Sequence, residues 1–297
     1  MDRTDFIIAG PTASGKSDFA HALARRIGGV VINCDSVQIY RGIENISASP
    51  LADATMIDGA IDGVPYELFS ILPLSDRLSA AEYQARARAC YDAAVAAGRP
   101  AVFVGGTGFY INAITRGLSP MPDIDEDVRA RARKMVADDL DAVRAMPGAG
   151  CAGLDAQRAA RALEVFLQTG RAITEFQAAP RVGAFLGHAR RVLINPPADL
   201  LRARIAARIP RMMSGGALAE AQNIIATGDD PSRAIGAVQL VQYLRGEIDF
   251  DTCVQNWITK TNQYAKRQRT WFRTQFAPDV IINRVPDLDA DVRSLID

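Results

Sequence analysis

GPTASGKS, residues 10–17, is the stretch on which the reading of this 297-residue chain turns. Before it, DFIIAG is a short apolar run that stops at Gly10; after it, DFAHALARRIG has helical spacing and stops at Gly28. The order strand, loop, helix is the setting in which the pattern G-x-x-x-x-G-K-[ST] carries physical meaning. Successive backbone N–H groups and the start of the helix form a nest for phosphate oxygens, Lys16 adds a point charge, and the Ser17 hydroxyl can hold Mg²⁺. The loop implies a bound di- or triphosphate, and leaves open which bond is broken.

Working outward, VVINCD (30–35), PAVFVGG (100–106), RRVLINP (190–196) and DVIINR (279–284) read as further strands, and AAEYQARARACYDAAVAAG (80–98) as a helix. Strands alternating with helices predict a parallel, doubly wound sheet with right-handed crossovers. The expected fold class is α/β: a P-loop NTPase-like parallel sheet flanked by helices, with an all-helical insertion domain. The insertion follows from a change of texture. DEDVRARARKMVADDLDAVRAM and LDAQRAARALEVFLQTG are charged helical runs joined by PGAGCAG, with no strand pattern between them. The expected boundaries are 1–119 and 188–297 for the two parts of the core and 120–187 for the insertion.

Asp35 is the acid that strand logic puts beside the loop, at the carboxyl edge of the sheet where ligands bind in such folds. VFVGGTGFY, in contrast, ends its strand on Gly105-Gly106-Thr107 without a carboxylate. Asp35 reads as a Mg²⁺ partner or a proton acceptor, or alternatively as a cap for a helix beginning at Ser36. Near the other end, residues 260–273 hold Lys260, Lys266, Arg267, Arg269 and Arg273 with no acid, interleaved with Tyr264, Trp271 and Phe272. Two readings stand: a nucleic-acid surface, or a solvated helix whose aromatics pack inward.

Composition limits the choice. The chain carries 34 Lys and Arg against 34 Asp and Glu, so a nucleic-acid site depends on local clustering. Four scattered cysteines and two histidines, His21 and His188, argue against a structural zinc site. No apolar run approaches the ~20 residues of a membrane span and no leader pattern is present, so the expected location is cytoplasmic.

Together, GPTASGKS (10–17), DSVQIYRG (35–42), GGTGFY (105–110), QRAARALEV (157–165) and YAKRQRTWFR (264–273) resemble the tRNA dimethylallyltransferase family, also called tRNA isopentenyltransferase. The resemblance implies transfer of a dimethylallyl group from dimethylallyl diphosphate to the exocyclic N6 amine of the adenosine just 3′ of a tRNA anticodon, with Mg²⁺ as cofactor. It implies Asp35 as the base with Thr107 beside it. It also implies a diphosphate site of Gly10, Thr12, Ala13, Ser14, Gly15, Lys16, Ser17 and Arg208. Contacts to the tRNA anticodon arm are expected from Ser36, Gln38, Arg158, Lys266, Arg267, Gln268, Arg269 and Arg273, and a monomer suffices. Arg158, Arg161 and Glu164 fall at i, i+3 and i+6, which also reads as a salt-bridged helix face. The chain departs from the family pattern at Ser49, Tyr66, Ala237 and Asn262, and Pro210, two residues after Arg208, is expected to break or kink its helix. A related prenyl transferase acting on free AMP, ADP or ATP, a P-loop small-molecule kinase, and an RNA-binding protein with a relict loop are the competing readings.

Overall fold

The computed structural model describes residues 3–296 other than 53 and 55. Its strands are β1 Phe6–Ala9, β2 Val30–Asn33, β3 Ala60–Ile61, β4 Val64–Glu67, β5 Ala101–Gly105, β6 Arg190–Ile194 and β7 Val280–Ile282. Its helices are α1 Lys16–Ile27, α2 Glu44–Ser47, α3 Ala80–Ala96, α4 Gly108–Arg116, α5 Glu126–Asp138, α6 Leu140–Arg144, α7 Ala156–Thr169, α8 Ile173–Gln177, α9 Ala198–Met212, α10 Leu218–Thr227, α11 Ala237–Leu244, α12 Phe250–Gln275 and α13 Ala290–Ile296.

By their contacts these residues form two compact units: those up to Ile114 together with those from Leu186 onward, and Thr115–Phe185. The first unit holds a seven-stranded sheet in the order β3-β4-β2-β5-β1-β6-β7, parallel except where β3 meets β4. β1 lies between β5 and β6, with Ile7 opposite Phe103 on one side and Arg191 on the other. FIIA and AVFVG are buried at every position, because helices cover both faces and leave no solvent side for alternation. Phe19 and Leu23 of α1 and Val292 of α13 pack on one such face with Ile8, Val102 and Val192. A second apolar cluster joins Ile205 and Ile209 of α9, Leu240 of α11 and the fully buried Trp257 of α12.

Sequence reading overlooked the β3–β4 hairpin. Its signal is Asp62-Gly63, where φ is 47° and 77°, the two left-handed residues of a tight hairpin turn. β4 extends the sheet by pairing in parallel with β2. Pro210 does not break α9, which runs on to Met212 before a single π-helical turn at Met213–Ala217, and the kink falls at Gly216, φ 129°.

The second unit is helical apart from an isolated bridge between Leu118 and Val182. Its core is built from Ala132 and Val136 of α5, Val143 of α6 and Ala159, Ala162 and Leu163 of α7. Glu164 is buried there and paired with Arg161 at 3.1 Å and Arg133 at 3.6 Å. The salt-bridged reading of that helix face is what these distances describe.

Candidate active site

The carboxyl ends of β1, β5 and β2 lie side by side, with Ala9 opposite Gly105 and Asn33 opposite Val104. The loops that follow these three strands therefore share one edge of the sheet. Gly10 turns away from β1 so close to β6 that a Cβ there would meet the Ile194 carbonyl. Ala13 (φ 63°) and Gly15 (φ 90°) are left-handed, which curls the loop around its own amides. α1 then starts at Lys16 with no side-chain cap, so the N–H groups of its first turn have no partner from the N-cap residue. Such an uncapped start, inside a curled loop, has the geometry that suits an anion.

Two arginines of α9 brace the loop from outside. Arg204 Nε donates to the Ala13 carbonyl at 2.8 Å and Arg208 Nη2 to Thr12 Oγ1 at 2.9 Å. Sequence reading named Arg208 and missed Arg204, whose only signal was its place one helical turn earlier. Among the described residues, Arg208 Nε and Ser14 Oγ are buried without a hydrogen-bond partner. Burial, with Arg208 adding and Asp35 opposing, pushes the Lys16 ammonium down to about 8. Burial and the neighbouring Arg204 and Arg211 push Arg208 down to about 10. Around Lys16 and Arg208 the cations thus outnumber the carboxylate that acts on both, Asp35, which matches a ligand of more than one negative charge.

Across from the loop, Asp35 and Thr107 are knitted together. Asn33 is wholly buried; its Oδ1 accepts from the Asp35 amide at 2.8 Å and its Nδ2 donates to the Asp35 carbonyl at 3.0 Å and to that of Leu68 at 2.9 Å. Asp35 Oδ1 accepts from the Val37 amide at 3.0 Å, closing a short turn. No helix begins at Ser36; the next one is α2, so the helix-cap reading of Asp35 is replaced by this turn. Thr107 Oγ1 accepts from the Ser36 amide at 2.9 Å and lies 3.2 Å from the Ser36 hydroxyl. The glycines of GGTG allow this closeness: a Cβ at Gly105 would strike the Cys34 backbone, and one at Gly108 the Trp271 ring. Burial raises the Cys34 thiol to about 12, which keeps it from acting as a nucleophile beside Asp35.

α12 passes behind this edge with two unlike sides. Trp257, Thr261, Ala265, Gln268 and Phe272 are buried, whereas Lys266, Arg267 and Arg273 are exposed. Arg267 lies over the Tyr264 ring at 5.7 Å, and Arg269 Nε donates to Asn195 Oδ1 at 3.1 Å. Lys266, Arg269 and Arg273, with Arg202 of α9, line a cavity of about 970 Å³ that has Phe272 and Leu193 in its wall and no acidic residue. Trp271 and Phe272 stack edge to face at 5.3 Å and pack on protein. Gln268, expected among the RNA contacts, is 5% exposed and bound inside the fold; helical spacing turns it inward while its basic neighbours face out. Gln38 donates to the Ser47 and Ala48 carbonyls at 3.3 and 2.9 Å. Arg158 lies in the helical unit, exposed, 3.6 Å from Asp155.

Mg²⁺ fits the donors present. Ser17 and Asp35 offer hard oxygen atoms. Such donors suit Mg²⁺, which takes one or two protein ligands and completes its shell with phosphate oxygens and water.

The IPP transferase family model matches residues 38–275, and the isopentenyl transferase model matches residues 4–56. The tRNA dimethylallyltransferase of Acidiphilium cryptum (strain JF-5) is 38% identical over 311 residues, covering 98% of this chain and 93% of that protein. The crystal structure of the full-length tRNA isopentenylpyrophosphate transferase from Bacillus halodurans is 27% identical, with a TM-score of 0.68, and covers 99% of this chain and 94% of that one. A eukaryotic dimethylallyltransferase acting on tRNA shares the fold at 22% identity and a TM-score of 0.74, covering 99% of this chain and 78% of its own.

Proposed function

The chain belongs to the IPP transferase family, and on that premise we propose that it transfers a dimethylallyl group from dimethylallyl diphosphate to the N6 amine of the adenosine 3′ of a tRNA anticodon, releasing diphosphate. What supports the reading most is the shared sheet edge, where Asp35 and Thr107 face an uncapped, cation-rimmed phosphate loop.

In this reading the loop amides, Lys16 and Arg208 bind the diphosphate, and their fixed positive charge stabilises it as the allylic C–O bond breaks. The amine of adenine is a poor nucleophile because its lone pair is delocalised. Asp35 accepts its proton as the N–C bond forms, so the product leaves neutral at nitrogen. Thr107, tied to the Ser36 amide, keeps the wall that bears Asp35 from drifting. Mg²⁺ would be held by the Ser17 hydroxyl and would supply further positive charge to the diphosphate when bound. The exposed Lys266, Arg267 and Arg273 bind backbone phosphates of the anticodon arm, and the helical segment 120–187, with Arg158, adds a second contact surface. The acceptor base leaves its stack to reach Asp35, as enzymes that act on a base require. The enzyme works as a cytoplasmic monomer.

The test is incubation of the purified chain with Mg²⁺, radiolabelled dimethylallyl diphosphate and either an anticodon stem-loop or free AMP. Label is expected on the stem-loop, and expected to fall by orders of magnitude with Asp35→Ala. Label on AMP alone would overturn the tRNA reading.

A further inference from the structure

Gln268 sits in a run of cations, KRQR, yet the fold buries it and uses both ends of its amide. Oε1 accepts from the Thr12 amide at 2.8 Å and Nε2 donates to the Gly106 carbonyl at 3.0 Å. The partners fix which end is which, since an N–H needs the oxygen and a carbonyl needs the NH₂. The peptide unit that gives its N–H to Gln268 also owns the Pro11 carbonyl, which accepts from Ser14 N at 3.3 Å and from Lys16 Nζ at 3.4 Å. A peptide plane turns as one body, so holding its N–H sets the direction of its carbonyl and hence the resting place of the Lys16 ammonium. Thr12 also takes Arg208 on its hydroxyl, and Gly106 precedes Thr107. A Cβ at Gly106 would strike Gln268 Nε2, so the close approach requires glycine there.

We propose that Gln268 is a positioning residue: it locks the phosphate loop to the strand end that carries Thr107, and so sets the separation between Lys16 and the Asp35 wall, without touching RNA. The inference rests on the prenyl-transfer reading. It divides one basic stretch into cations that meet RNA and a glutamine that serves the diphosphate side.

Gln268→Met keeps the volume and removes both hydrogen bonds. Its kcat is expected to fall about 10- to 100-fold, because a displacement of about 1 Å at a reacting centre has that effect. Its affinity for the anticodon stem-loop, read by fluorescence anisotropy without the diphosphate substrate, should stay within about twofold. Gln268→Glu gives a second readout that a packing role would not move. A protonated carboxyl, like the amide, has one acceptor for Thr12 and one donor for Gly106; an ionised one has no donor and opposes the carbonyl. The ratio of its turnover to that of wild type should therefore rise as pH falls from about 8 to about 6. This comparison decides the matter even if the Met variant fails to fold.

A Met variant as fast as wild type, RNA affinity falling in step with turnover, or a flat Glu-variant ratio would each overturn the proposal. Calorimetric binding of inorganic diphosphate needs no acceptor and should weaken in Gln268→Met. A failed tRNA reading would instead appear as wild type that labels no stem-loop while this Gln268 effect persists.

Discussion

The two sides of α12 differ in kind. Along the buried side, Gln268 is committed to Thr12 and Gly106, and Trp257 is seated on Gly236 so tightly that a Cβ there would enter its ring. Along the outer side, Lys266, Arg267 and Arg273 stand in solvent. One helix thus carries a rigid function and an adjustable one, separated by a fraction of a turn. Changes on the buried side and at the edge it braces should alter turnover or stability, and changes on the outer side should alter affinity and its response to salt.

The largest effect tests the braced edge. Asp35→Asn is expected to lower kcat by about 10²- to 10⁴-fold, the usual worth of a positioned base, with stem-loop affinity unchanged. Next, Trp257→Ala should destabilise the fold by about 3–5 kcal/mol in chemical denaturation, since the side chain is 1% exposed and its loss leaves a large void. An equally severe loss from Lys266→Ala would break the distinction between the two sides. On the outer side, Arg273→Ala should weaken stem-loop binding only a few-fold, leave kcat unchanged, and make the plot of log affinity against log salt shallower by roughly one unit. The smallest effect concerns pH. Lys16 is cationic below about 8 and loses its charge as pH rises through that value, so KM for dimethylallyl diphosphate should be about doubled near pH 8 relative to pH 6.5.

The same contrast explains what the sequence made legible. The strand, loop and helix around residues 10–17 were readable because their signal is local: the glycines, Lys16, Ser17 and the helix start all lie within eight residues. The parallel strands were readable from continuous apolar runs such as FIIA and AVFVG. Gln268 was not, since a polar residue among four cations looks solvated until the spacing of Trp257, Thr261, Ala265 and Phe272 is counted along the helix. Asn33 and Arg204 escaped for a related reason. Their partners, Leu68 and Ala13, are 35 and 191 residues away in the chain. The hairpin at Asp62-Gly63 escaped because its strands are only two and four residues long, too short for alternation to register.

The place of β1 in the sheet bears on how the chain is made. It precedes both of its partners in the chain, being paired on one side by β5, near residue 100, and on the other by β6, near residue 190. At the usual pace of synthesis, roughly 5–20 residues per second, the second neighbour follows about 10–40 s later. Through that interval an apolar strand with no alternation waits with an open edge, while Thr115–Phe185, whose core is drawn from its own helices, has what it needs to fold first. The strand that completes the sheet beside β1 is thus made only after the whole of the helical unit Thr115–Phe185.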